Sequence, residues 1–164
     1  MLRFAARHQD GPIAIRYPRG TARCSEQPLA AFEPGVSETV HQGQKIALIC
    51  DGGARPVAEQ TRELLVEAGL DPWLVNLRSL KPLDTELLGR LGDGCSHIFT
   101  FETNAVIGGT GSRIAQLLSA KPCQVVNFGY PNSFVPHGKI AELNELIGFT
   151  PEHFATEIAK RLKN

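Results

Sequence analysis

The chain has 164 residues, of which 42% are hydrophobic and 21% are charged. Lysine plus arginine and aspartate plus glutamate number 17 each, a balance that argues against a nucleic-acid-binding protein or one that binds an anionic membrane. The apolar runs fall far short of the ~18 residues of a membrane span and no signal-peptide pattern opens the chain, so we expect a cytoplasmic protein.

The first 44 residues have an irregular organisation. "MLRFAARHQ" is compatible with the end of a helix, "PIAIRYP" with a strand, and "CSEQPLAAFEPGVSETVHQG" with an irregular polar connection. A domain does not normally begin with an isolated strand and then a long loop. We therefore expect the chain to start inside a larger architecture, with residues 1–22 ending an upstream domain, 23–44 a linker and 45–164 the main domain.

From Lys45 onward, apolar runs alternate with segments of helical periodicity. The runs predict strands at 45–50, 72–79, 97–102 and 123–129, and the periodic segments predict helices at 56–68, 84–91, 108–120 and from Thr150. This alternation predicts a three-layer α/β/α, doubly wound domain with a mostly parallel sheet of about five strands. Functional loops of such domains lie at the carboxyl ends of the strands.

A glycine-rich segment, "GGTGS" (108–112), precedes the third helix. A dinucleotide-binding fingerprint needs a third glycine where Ile114 stands, and it follows the first strand of its domain rather than the third. The glycines are also compatible with an anion at the helix N-terminus. A tight packing turn is the favoured interpretation.

Two residues near the predicted functional edge are candidates for an active-edge or interface role. Glu102 ends the third strand, and His137 lies on a loop between a proline and a glycine. No partner that would complete a catalytic triad is evident for either. The cysteines include no C-x-x-C pair, so we expect reduced thiols and no metal site.

The segment "RYPRG" (16–20) holds two arginines beside a rigid proline. Pro18 fixes its own φ and keeps Tyr17 extended, so Arg16 and Arg19 are presented from a stiff segment. A guanidinium offers a planar fork suited to phosphate or carboxylate. From the residues alone, anion binding and surface ion pairing are both open.

The order of these motifs resembles the C-terminal part of the 1-deoxy-D-xylulose 5-phosphate synthase family, in the transketolase superfamily. The resemblance is carried by "DGPIAIRYPRGTA" (10–22), "LRSLKPLD" (77–84), "FETNAVIGGTGS" (101–112), "NFGYPNSFVPHGK" (127–139) and "ELIGFTPEHFATEIAKRL" (145–162). It departs at "CDGGAR" (50–55), where the family often has "LGTM"-type residues.

The resemblance implies a three-domain enzyme that uses thiamine diphosphate and magnesium. It condenses pyruvate with glyceraldehyde 3-phosphate, with loss of carbon dioxide. This chain looks like the last, transketolase C-terminal-like domain, with residues 1–22 as the end of the pyrimidine-binding domain. The family's motif implies that Arg19 binds the substrate phosphate, with Tyr17 and Arg16 beside it.

The chain lacks the family's diphosphate-binding motif and its cofactor-activating glutamate. We therefore expect it to bind no cofactor and to be inactive alone. Its expected partners are the pyrophosphate- and pyrimidine-binding domains, on the same or a separate chain, and further copies of itself. The alternatives are the C-terminal domain of a transketolase or of a 2-oxoacid dehydrogenase beta chain, and a non-catalytic interaction module.

Overall fold

A computed structural model describes residues 1–17 and 31–163. In chain order its elements are α1 (Leu2–Ala5), β1 (Glu38–His41), β2 (Ile46–Cys50), α2 (Arg55–Glu67), β3 (Trp73–Asn76), α3 (Thr85–Gly94), β4 (His97–Ala105), α4 (Thr110–Leu117), β5 (Gln124–Tyr130), α5 (Ile140–Ile147) and α6 (Pro151–Arg161).

The five strands form one sheet in the order β1-β3-β2-β4-β5. Strands β2 to β5 are parallel, and β1 joins β3 at the edge in the antiparallel sense. The predicted α/β class and the mostly parallel sheet of about five strands are confirmed. All five residues of β2 are buried, which is why its sequence is a continuous apolar run rather than an alternating one.

Helices cover both faces of the sheet. Helices α2 and α6 pack on one face around Leu48, and α3 and α4 pack on the other around Ile49. Two core clusters result, in agreement with the predicted three layers. In the described part of the chain, no helix is both long enough and apolar enough to cross a membrane.

Helix ends follow the local signals in the sequence. The Asp84 carboxylate accepts the Leu87 N–H at 3.0 Å and begins α3, as predicted. The Thr150 hydroxyl accepts the His153 N–H at 3.4 Å, with Pro151 in the first turn of α6. Gly69 takes a φ of +82° just after α2, the left-handed conformation that ends many helices.

Three parts of the predicted secondary structure differ from the observed one. The segment 12–17 of "PIAIRYP" was expected to be a strand and is irregular, because no other strand lies beside it in the described residues. Glu38–His41 forms an edge strand inside the segment expected to be an irregular connection. Helix α5 was not predicted and contributes no buried residue. The division of the chain into domains at residues 22 and 44 stays a prediction.

The sheet has a topological switch point between β2 and β4. The chain leaves β2 toward β3 on one side and then returns across to β4 on the other. In open parallel sheets a crevice opens at the carboxyl ends of such a strand pair, and ligands bind there. Asp51 directly follows β2 at this edge, and Glu102 lies in β4 one residue beyond Phe101, which pairs with Cys50 at the end of β2.

Candidate functional site at the carboxyl edge of the sheet

Glu102 is a buried carboxylate at the base of this edge, with a side chain that is only 2% exposed. Its two oxygens accept the backbone N–H groups of Thr110 at 2.8 Å and Gly111 at 3.2 Å. These amides belong to the first turn of α4, where the N–H groups lack partners within the helix. Glu102 therefore fills the position that an anion would take at this helix N-terminus.

The glycines of the "GGTGS" segment make room for this carboxylate. A Cβ atom at Gly109 would lie 2.2 Å from Oε2 of Glu102, and one at Gly111 would lie 2.4 Å from the hydroxyl of Thr100. Gly108 adopts a φ of +74° that side chains rarely take. The segment is therefore a packing turn, which is the interpretation that the sequence analysis favoured. The amides that a dinucleotide phosphate would need are bonded to the protein's own glutamate.

Asp51 organises the loop that follows β2. One carboxylate oxygen accepts the Ala54 N–H at 2.7 Å, and the other accepts the N–H and hydroxyl of Thr103 at 3.1 and 3.2 Å. Asp51 is 7% exposed, so it is a buried charge held by three hydrogen bonds. This link between the loop after β2 and strand β4 was missed from the sequence, although Asp followed by two glycines after a buried strand is a turn signal.

Arg16 reaches the same part of β4 from the N-terminal segment. Its Nη2 donates to the backbone carbonyl of Thr103 at 2.6 Å, while the neighbouring Tyr17 side chain is 78% exposed. Thr103 thus joins Asp51 through its N–H and hydroxyl, and Arg16 through its carbonyl. The start of the "RYPRG" motif lies at the carboxyl edge of the sheet. Arg19 lies outside the described residues.

The charges at this edge influence one another. Burial raises the pKa of the Glu102 carboxyl above its ordinary value, and the nearby Asp51 carboxylate raises it further. The amides of Thr110 and Gly111, and the positive charge of Arg16, act in the opposite direction on this pKa. The edge therefore holds two buried carboxylates, and the Arg16 guanidinium is close enough to affect the pKa of Glu102.

His137 is not part of this cluster. It is exposed on the loop after β5, and its ring makes no hydrogen bond or ion pair with another described residue. Of the predicted site residues, the structure brings Arg16 near Glu102, leaves the Tyr17 side chain exposed and leaves His137 apart. Ser112, which lacks a nucleophile setting, donates its hydroxyl to the Val106 carbonyl at 2.8 Å and braces the turn.

The described cysteines are free thiols. Cys50 and Cys95 are buried, and burial raises the pKa of the Cys95 thiol to about 11. Among residues 1–17 and 31–163, no group of three or more His, Cys, Asp or Glu side chains could hold a metal ion. Cys24 lies outside the described residues.

A family model described as "Transketolase, C-terminal domain" matches residues 35–154. A protein named 1-deoxy-D-xylulose-5-phosphate synthase from Acidobacterium capsulatum is 36% identical over 165 residues, covering 98% of this chain and 26% of that protein. A protein of the same name from Chlorobaculum tepidum is 36% identical over 168 residues, covering 100% of this chain and 26% of that protein. The chain thus spans about a quarter of the length of these relatives.

A solved structure with the same fold is titled "Split gene transketolase, inactive beta4 tetramer". It is 30% identical to this chain, with a TM-score of 0.75, and the match covers 80% of this chain and 44% of that one.

Proposed function

Because the chain belongs to the transketolase C-terminal domain family, we propose that it serves as the C-terminal domain of a 1-deoxy-D-xylulose-5-phosphate synthase. One observation supports this choice within the superfamily. Relatives named for that synthase match 96–100% of this chain at about 36% identity, including residues that precede the family model. The structurally similar transketolase named above covers 80% of the chain at 30% identity.

The proposed activity of the assembled enzyme joins pyruvate to glyceraldehyde 3-phosphate, with release of carbon dioxide. When it is bound to the enzyme, thiamine diphosphate supplies the electron sink for such carbanion chemistry. The described residues do not fit this cofactor or its magnesium ion. The amides of the α4 N-terminus are bonded to Glu102, and the described residues offer no metal-ligand cluster. The cofactor would have to be bound by other domains, which correspond to the part of the relatives that this chain does not match.

We assign this chain a role in substrate binding. Arg19 would hold the phosphate of glyceraldehyde 3-phosphate through a bidentate, charge-assisted contact. Arg16 would anchor the segment that carries Arg19, since its guanidinium donates to the Thr103 carbonyl. Tyr17 lies between these two arginines in the sequence and its side chain is exposed, so it would line the approach to the phosphate site. Asp51 and Glu102 would hold this end of β4, with Thr103, in place without contacting substrate.

The carboxyl edge is also the proposed contact surface for the cofactor-binding domains. Ile107 is 68% exposed and Phe134 is fully exposed, and both lie on loops that follow strands at this edge. Exposed apolar side chains of this size indicate a surface that another domain covers. His137 lies on the same loop as Phe134, so an interface role for it stays part of the proposal. The solved relative's tetramer supports self-association of this chain as well.

A chimera tests this function. The matching C-terminal quarter of the Acidobacterium capsulatum synthase would be replaced by this chain, and carbon dioxide release from pyruvate would be measured with and without glyceraldehyde 3-phosphate. The proposal predicts release that depends on the second substrate. A folded chimera that binds thiamine diphosphate but forms no product would contradict it.

The chain by itself is proposed to bind no thiamine diphosphate and to be inactive. Isothermal titration of the 164-residue chain with cofactor and magnesium checks this. Micromolar binding would show that the assignment of the cofactor to other domains is wrong.

A further inference from the structure

A second concave surface lies at the opposite end of the sheet from Glu102. It is a groove of about 350 Å³ between the loop after β1, the start of β3 and the C-terminal half of α3. This volume is within the range of small-molecule sites, about 300–1,000 Å³. The proposed synthase function does not use this groove.

The walls of the groove are fixed by backbone contacts. A Cβ atom at Gly43 would lie 2.3 Å from the backbone nitrogen of Trp73, so the loop after β1 packs directly on the start of β3. The Gln44 N–H donates to the Asp71 carbonyl at 2.9 Å, and the Cys95 thiol donates to the Gln44 carbonyl at 3.8 Å. The groove is therefore formed without a ligand, which lowers the cost of binding.

The floor of the groove is apolar. Trp73 is half-buried, and Leu87, Leu91 and Cys95 are buried members of the core cluster beneath it. Burial raises the pKa of the Cys95 thiol to about 11, so this side chain is uncharged at neutral pH. Aromatic and aliphatic side chains arranged this way suit a flat apolar body.

The rim carries a positive charge that no neighbour neutralises. Arg90 lines the groove, is exposed, and forms no ion pair or hydrogen bond with any residue in the described ranges. Two acidic residues of α3 lie near Arg90 in sequence, and neither forms an ion pair with it. Asp93 pairs with Lys121 at 2.7 Å, and Glu86 forms no ion pair with a described residue. Among the described residues, no acidic side chain lines the groove.

We propose that this groove binds a small carboxylate with a flat apolar body, about the size of benzoate. Its carboxylate would lie on the Arg90 guanidinium, which accommodates two oxygens at once. Its ring would lie along Trp73, Leu87 and Leu91.

The chain has a single tryptophan, so its indole N–H gives one NMR signal at the site itself. Titration of the 164-residue chain with sodium benzoate should shift this signal with saturation at a Kd on the order of 1 mM. Benzamide has the same shape without the charge, and we expect its binding to be at least about tenfold weaker.

Two pairs of variants locate the site. R90Q should weaken benzoate binding about tenfold, whereas R161Q, at an exposed arginine on α6, should leave it unchanged. Gly94 lines the groove and Gly89 lies on the same helix outside it, and a Cβ atom at either position meets nothing within 4 Å. G94L should therefore abolish binding by filling the groove, while G89L should preserve it.

The proposal is overturned by any of three results: no saturable shift up to about 50 mM benzoate, a benzamide affinity equal to that of benzoate, or wild-type affinity in R90Q or G94L. None of these results bears on the synthase function, because cofactor and substrate phosphate are absent from the measurement.

Discussion

Glu102 accepts the backbone N–H of Thr110 at 2.8 Å, so a buried carboxylate joins β4 to the first turn of α4. The helix N-terminus that most resembled a phosphate site in the sequence is thus occupied by the protein's own anion. The same carboxylate shares its surroundings with Asp51 and Arg16. This arrangement makes Glu102 the support of the proposed substrate edge.

Replacing Glu102 with alanine should destabilise the fold. The half-buried amide of Thr110 and the buried amide of Gly111 would lose their acceptors, which costs about 1–3 kcal/mol for a fully buried group. Urea unfolding should show a loss of at least about 2 kcal/mol. E142A provides the control, since Glu142 is 66% exposed in an i,i+3 pair with Lys139 and should change stability by less than about 0.5 kcal/mol. Equal effects of the two substitutions would show that the Glu102 contacts contribute little.

The raised pKa of Glu102 predicts a specific pH dependence. Because its folded pKa lies above the unfolded value near 4.5, its contribution to stability is present below that pH and is lost as pH rises through the folded pKa. The unfolding free energy of the wild type minus that of E102Q should therefore fall as pH rises from about 4 toward neutrality. Taking the difference cancels the other titrating groups. A difference that grows with pH would mean that the pKa is lowered in the folded state.

Gly109 should not tolerate a methyl group. Its φ of −75° is open to any residue, so the penalty comes from the added Cβ, which would lie 2.2 Å from Oε2 of Glu102. The Thr110 N–H holds that oxygen in place, and the Gly111 N–H holds the other oxygen of the same carboxylate. We expect G109A to lower the free energy of unfolding by about 1–3 kcal/mol, as overpacking does elsewhere. G89A should instead stabilise by up to about 1 kcal/mol, since Gly89 is helical with open space around it. A G109A variant with an unchanged free energy of unfolding would show that the Glu102 carboxylate does not lie against Gly109.

Hydrogen exchange should distinguish the N-terminal segment from the sheet. Residues 12–17 make no backbone–backbone hydrogen bonds with described residues, whereas Ile46–Cys50 lie between two strands. The amides of 13–17 should exchange at least about a hundredfold faster than those of Ile46–Cys50. Comparable protection in both segments would indicate that the N-terminal strand predicted from the sequence does form.

The sequence was a good guide to the interior of the domain. Strands β2 and β4 were predicted because burial on both faces demands a continuous apolar run, and α3 was located by Asp84 as its N-cap. Strand β1 was missed because an edge strand of four residues, "ETVH", buries too little to leave an apolar pattern. Helix α5 was missed although "IAELNELI" has apolar residues at helical spacing; it is eight residues long and none of them is buried.

The geometry of the site was less predictable. Glu102 and Arg16 were candidates from their positions in the chain, but their common neighbour Thr103 was not. The contact between Asp51 and Thr103 depends on β2 and β4 being adjacent, and only the strand order determines that. Glu102 was identified from its place at a strand end, whereas its role became clear from the two amides it binds.

The central claim is that this chain supplies the substrate-phosphate arginine of a synthase, and the kinetics of R19A in the active chimera test it most directly. Loss of a charge-assisted phosphate contact of about 1.5–3 kcal/mol predicts a KM for glyceraldehyde 3-phosphate at least about tenfold higher, with the KM for pyruvate unchanged. R161Q, far along the chain on α6, serves as the matched control. An R19A chimera with an unaltered KM for glyceraldehyde 3-phosphate would contradict the account.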